Sequence, residues 1–261
     1  MKYVDVHAHY DDEAFKEDLE QELELVRSRH VKYIINAGSS IENSKNAIKL
    51  ALSHEYMYCT IGIHPEYTSE LEKVEELEKL YNEHKDSGKI VAIGEIGIDY
   101  HYEGIDKEKQ MKLFKAQLKI AKKLNLPVQL HSRDAVQDML KVMQEVNILP
   151  EKIMFHCYEL NEEMTKIIID RGYSISLGGN ITYKRKESAK EQIRRIPLEQ
   201  IMLETDSPYL APQAVRGTRN SSKNLCYVAE EIANLKGKTV DEVVEQTFKN
   251  ACEFYGIKQE N

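Results

Sequence analysis

An α/β fold, a (β/α)8 TIM barrel with two additional C-terminal helices, is what this sequence predicts. Eight short apolar runs alternate with longer stretches whose apolar residues recur every three or four positions. No Gly/Ser-rich linker interrupts the alternation, and 261 residues suit one barrel, so a single domain over 1–261 is expected. A doubly wound open sheet is the alternative topology.

The runs at 3–6, 33–37, 57–63, 90–93, 128–130, 153–155, 173–177 and 201–203 are the candidate strands. Between them, Leu19, Leu23 and Val26 mark one buried helix face, and Val74, Leu77 and Tyr81 a second. Met111, Phe114, Leu118 and Ala121 mark a third, and Val136, Leu140 and Met143 a fourth. After Gly178 the pattern is harder to read, but 187–195 can form a short helix that ends before Pro197. Two helices close the chain, one through Leu225, Val228, Ile232 and Leu235, the other through Val243, Val244, Phe248 and Ala251. Thr239 and Glu242 have the spacing of a capping box for the last. The acidic stretch 66–78 reads as a solvated helix face.

Composition bounds the function. Apolar content of 41% and charged content of 31% are those of a globular protein. No apolar run approaches the roughly 18 residues needed to span a bilayer. The expectation is therefore a cytoplasmic protein with no membrane association and no obligate protein partner. Cys59, Cys157, Cys226 and Cys252 lack C-x-x-C spacing and read as reduced thiols. A net charge of −8 argues against a generic nucleic-acid-binding surface, although bound divalent ions and a local basic patch can reverse the field at one site.

Function in a barrel collects at the C-terminal ends of the strands. In Asp5-Val6-His7-Ala8-His9 the two-residue period of a strand puts Asp5, His7 and His9 on one face. His7 and His9 end strand one, His64 ends strand three, Glu95 follows strand four, His131 ends strand five, His156 ends strand six and Asp206 follows strand eight. All seven fall at one rim, whereas His30, His54 and His84 lie late in helical segments and His101 in a loop. Imidazoles mixed with carboxylates suit zinc, manganese, iron or, less well, magnesium. Six ligands exceed the need of one catalytic ion, so two divalent metal ions sharing a carboxylate are expected. His7, His9 and Asp206 hold one, His131 and His156 the other, and Glu95 is the bridging candidate because strand four lies between the two groups. Asp5, deeper on the same face, reads as a buried hydrogen-bond partner, and Glu204 as a residue that orients a ligand or a basic side chain. His64, before Pro65, reads equally as a turn residue.

These motifs, together with Gly62-Ile63-His64-Pro65, Gly94-Glu95-Ile96-Gly97-Ile98-Asp99-Tyr100, His131-Ser132-Arg133, His156-Cys157 and Glu204-Thr205-Asp206-Ser207-Pro208-Tyr209-Leu210, resemble the TatD family of metal-dependent hydrolases and deoxyribonucleases. They occur in the family's order over nearly the whole chain. The resemblance implies a TIM barrel of the amidohydrolase-like superfamily and a dinuclear site from His7, His9, Glu95, His131, His156 and Asp206. It also implies activity towards phosphodiesters such as DNA, with His64 and Arg133 near the substrate. Two places depart from the pattern. Tyr158-Glu159-Leu160 replaces the usual aromatic-Ser-Gly, and Ser221-Ser222 stands where Glu-Pro is common.

The expected reaction is attack of a metal-activated water on phosphorus, with Asp206 accepting or relaying a proton and Glu95 chiefly holding the ions. Hydrolysis of a carboxylic ester or amide, including an aminoacyl ester on transfer RNA, needs the same ligands. A metal-containing binding protein without turnover is the third reading. Lys184, Arg185 and Lys186 after strand seven, and Arg216, Arg219 and Lys223 after strand eight, predict a basic approach for a DNA backbone, with Arg133 near the scissile phosphate. Asp11, Asp12 and Glu13 make the loop after strand one acidic.

Overall fold

A computed structural model describes residues 1–101, 104, 106–146, 149–184 and 187–258. Strand β1 (Tyr3–Ala8) precedes helix α1 (Leu19–Ser28), β2 (Val31–Asn36) precedes α2 (Ile41–Ser53), and β3 (Met57–Ile61) precedes α3 (Glu76–His84). The alternation continues with β4 (Ile90–Asp99), α4 (Lys107–Leu124), β5 (Val128–Arg133), α5 (Val136–Glu145), β6 (Ile153–Phe155) and α6 (Glu162–Arg171). It ends with β7 (Ser174–Leu177), α7 (Glu187–Arg195), β8 (Ile201–Leu203) and the two C-terminal helices α8 (Leu225–Lys236) and α9 (Val240–Tyr255). The strands form one eight-stranded sheet in the order β1 to β8, which with the alternating helices is the (β/α)8 barrel order. No helix among the described residues is long and apolar enough to cross a membrane.

Two compact units make up the chain, Met1–Asn36 with Cys157–Asn261, and Ala37–His156. In the first, β1 runs parallel to β2, with Asp5 opposite Ile34, and β7 runs parallel to β8, with Ser176 opposite Met202. β1 also meets the segment after β8: the Asp206 amide donates to the His7 carbonyl at 2.9 Å, and the His9 amide to the Ser207 carbonyl at 2.8 Å. Val6, Ile34, Ile175, Ile201 and Met202 from the strands are buried with Val228, Ile232 and Val243 from the helices. Each such side chain stabilises the fold by about 1.5–3 kcal/mol. The capping box of α9 is formed, with Glu242 N donating to Thr239 Oγ1 at 3.2 Å and Thr239 N to Glu242 Oε2 at 2.8 Å.

In the second unit β3, β4, β5 and β6 are parallel neighbours around a core of Ile61, Ile93, Ile96, Ile98, Leu130, Phe114 and Leu118. Here β4 and β5 outrun their apolar runs. β4 continues from Ile93 to Asp99, so Glu95 lies inside the strand rather than after it. β5 continues through His131 and Ser132 to Arg133, because these residues pair with Gly97, Ile98 and Asp99 of the extended β4. Gly97 is required at this crossing: its φ is +154°, and a Cβ there would strike the His131 carbonyl. β3 stops at Ile61, leaving His64 in the turn beyond it.

Candidate metal centres

In the first unit, β1 ends by turning the rings of His7 and His9 together, with their Nε2 atoms 3.1 Å apart. Asp206 Oδ1 lies 3.6 Å from His7 Nε2 and 3.5 Å from His9 Nε2. Three donors around a tetrahedral ion, each at zinc–nitrogen bond length, are separated by about 3.4 Å. The observed spacings match that edge, and two imidazole nitrogens converging with a carboxylate oxygen are a donor set for a divalent cation. Asp206 takes up its position with a left-handed backbone, φ 57°, a conformation Asp tolerates better than most residues. The amide bond to His7 and a 2.9 Å hydrogen bond from the Tyr209 amide to the Asp206 carbonyl fix that turn.

Asp5 is fully buried behind this cluster and takes no ligand position. Its carboxylate accepts from Thr205 Oγ1 at 2.5 Å, Ser222 Oγ at 2.6 Å, Thr205 N at 3.0 Å and His7 N at 3.3 Å. It thus ties β1 to the end of β8 and to the loop before α8. The Ser221-Ser222 departure finds its role here. Ser222 supplies one of the donors to Asp5, and Ser221 Oγ donates to Glu22 on α1 at 2.6 Å. Glu204, also fully buried, accepts from Ser176 Oγ of β7 at 2.5 Å.

In the second unit Glu95 Oε1 meets His131 Nδ1 at 2.8 Å and His156 Nε2 at 2.7 Å, and those two ring nitrogens are 3.0 Å apart. The donor set again comprises two imidazoles and a carboxylate, from β4, β5 and the residue that follows β6. Asp99, to which the sequence reading gave no role, orients the set: its Oδ2 lies 2.8 Å from His131 Nε2. Burial acts to raise the Asp99 carboxyl, yet hydrogen bonds from His131 and from the His101 amide hold it below the usual range. An ionised carboxylate on Nε2 favours the tautomer that would present the His131 Nδ1 lone pair to a bound cation. The signal was present in the sequence, since Asp99 is four residues after Glu95 and thus on the same strand face. Asp99→Ala is expected to weaken metal affinity about 10–100-fold, measured by titration of the metal-free protein.

His64 faces this cluster differently. Its Nδ1 accepts from the Glu66 amide at 3.3 Å, capping the 3-10 turn Pro65–Lys73, so the ring proton resides on Nε2, 3.6 Å from Glu95 Oε1. Burial pulls its pKa down to about 4. It is therefore a neutral hydrogen-bond donor towards the site, even though His64, Glu95 and His131 bring three potential ligand atoms within 4.8 Å of one another. The turn reading of His64 holds, and the same ring lies beside Glu95. Arg133, the last residue of β5, lies opposite Asp99.

The basic approach surface needs correction. Arg219 donates to both carboxylate oxygens of Asp18 at 2.7 Å and to Glu22 at 3.3 Å, and Lys223 donates to Glu22 at 2.9 Å. These cations strap the loop before α8 to α1. Arg216 is exposed, with its guanidinium 4.9 Å from the Tyr183 ring centre, and Lys184 is exposed. Arg185 and Lys186 lie outside the described residues. The acidic loop after β1 is likewise engaged, Asp11 accepting from Asn36 Nδ2 at 2.7 Å and Asp12 from Tyr209 OH at 2.8 Å. At the other departure, Tyr158 is buried and bonds Thr165 Oγ1 at 2.8 Å, Glu159 is exposed, and Leu160 adopts φ 60° where glycine is usual.

Comparison with known proteins places this geometry. A family model described as TatD related DNase matches residues 4–256. The uncharacterized metal-dependent hydrolase YabD of Bacillus subtilis is 32% identical over 97% of this chain and 98% of its own length. The uncharacterized metal-dependent hydrolase MJ1582 of Methanocaldococcus jannaschii is 35% identical over 98% of this chain and 97% of its own. The crystal structure of YJJV, a TatD homolog from Escherichia coli K12, superposes with a TM-score of 0.89 at 27% identity, covering 98% of each chain. The chain belongs to the TatD family of metal-dependent hydrolases.

Proposed function

We propose that this protein hydrolyses phosphodiester bonds, DNA foremost, with two divalent metal ions per chain. The observation that carries the reading is the pair of three-donor clusters, His7, His9 and Asp206 in one unit and Glu95, His131 and His156 in the other, each with two imidazoles and one carboxylate. Ions held by these residues would supply Lewis-acid activation of water and of a phosphoryl oxygen. Asp206 is the proton acceptor for the attacking water, as the one carboxylate of its cluster, with a side chain 18% exposed. Glu95, whose side chain is 7% exposed, would act chiefly as a ligand that holds the ions. His64 offers Nε2–H to the negative charge that develops on the phosphoryl group, and Arg133 offers a guanidinium to a non-bridging oxygen. The family model's description as a DNase supports the choice of phosphodiester over carboxylic ester.

The test is a panel of single- and double-stranded DNA, RNA, simple phosphoesters and aminoacyl esters, each with and without chelator. Chelator-sensitive cleavage of DNA is expected, and turnover confined to aminoacyl or carboxylic esters overturns the reading. Salt dependence adds a second check. Arg216→Ala is expected to lower the slope of log affinity for DNA against log salt by about 1, while Arg219→Ala leaves it unchanged because that cation already serves Asp18.

A further inference from the structure

Among the described residues few large apolar side chains are exposed, and one of them sits beside a metal-ligand cluster. Tyr209 is 53% exposed and follows Asp206 by three residues. A single exposed ring is ordinary on a protein surface; what sets Tyr209 apart is that it is held beside His9 and Asp206. Its ring is edge-on to His9, with centres 6.4 Å apart. Its position is built rather than incidental. The hydroxyl donates to Asp12 Oδ2 at 2.8 Å, while Asp12 Oδ1 accepts from the Ala14 amide at 2.8 Å and so anchors the turn after β1. The Tyr209 amide donates to Asp206, and Asn220 Nδ2 donates to the Tyr209 carbonyl at 2.8 Å. A tyrosine has only two side-chain torsions, and fixing both before binding reduces the ordering cost of a contact on its face.

We propose that the Tyr209 ring is a stacking platform for a nucleobase next to the scissile phosphodiester, making this residue a determinant of specificity for nucleic acid over simple phosphate esters. The proposal rests on the phosphodiester reading above. A flat π-face recognises any base, so the selectivity is for the presence of a base rather than its identity. The charge is consistent with a base and not a phosphate at this point, because the hydroxyl edge of the ring is held against the carboxylate of Asp12.

The experiment compares a short single-stranded DNA having one cleavable linkage with the same strand carrying abasic residues on both sides of that linkage. Bound metal is measured in parallel. The wild-type protein is expected to favour the base-bearing strand about 5- to 150-fold in kcat/KM, mainly through KM. Tyr209→Ala collapses that ratio towards unity, whereas Tyr209→Trp and Tyr209→Phe, which keep a ring, retain most of it. A Tyr209→Ala protein that keeps the wild-type ratio, including one that slows equally on both strands, overturns the stacking role and leaves the phosphodiester reading standing. A wild-type protein that cleaves neither strand with metal bound overturns the phosphodiester reading and this inference with it.

Discussion

Asp206→Asn is expected to lower kcat/KM for the hydrolysed ester by about 10²–10⁴-fold, the usual yield of a positioned proton acceptor. The substitution is nearly isosteric, and asparagine tolerates the left-handed backbone of this position as aspartate does, so the fold is retained. The amide cannot take a proton at neutral pH, and it removes the one negative charge in the cluster with His7 and His9. These two effects separate on adding metal. Saturating metal restores occupancy but not proton transfer, so the rate stays low. A variant that regains the wild-type rate under saturating metal reduces Asp206 to a ligand.

The second large effect concerns stability. Asp5→Ala is expected to lower the free energy of unfolding by about 3–5 kcal/mol, because it removes from a fully buried site the carboxyl group that two hydroxyls and two amides share as a hydrogen-bond partner. Urea unfolding at pH 5 in the presence of chelator measures it. A pH series adds the sign. Burial drives the Asp5 carboxyl from 3.8 up to about 7, against the pull of its four hydrogen bonds. Between those values the folded chain holds a proton that the unfolded chain has released, so this residue's contribution to stability is full below about pH 4 and declines as pH rises to about 7. The loss is on the order of 4 kcal/mol. The difference between wild-type and Asp5→Ala proteins should therefore shrink across that window, and a constant difference contradicts the assignment.

Much of the barrel was legible because its strands are apolar where they cross the core. β6 and β8 begin and end with their apolar runs, and α7 spans the residues its charge and proline pattern indicated. The strand ends were harder to read for a physical reason. Site residues are polar, so hydrophobicity ends before the backbone ladder does, and β4 and β5 ran on through Glu95, Asp99, His131 and Arg133. Reading β4 as ending at Ile93 hid the partnership of Asp99 with His131, which depends on the Gly97–His131 and Asp99–Arg133 register. The basic loop failed differently. No acid lies near Arg219 or Lys223 in sequence, but Asp18 and Glu22, about two hundred residues earlier, reach them from α1. Charge read along the chain says little about charge left over after folding.

The most direct test of the two-centre account is a count of metal per chain after anaerobic reconstitution and removal of loose metal. Two ions are expected in the wild-type protein, and one each after His7→Ala with His9→Ala and after His131→Ala with His156→Ala. A wild-type chain that takes up a single ion, or a doubly substituted chain that still takes up two, contradicts that expectation.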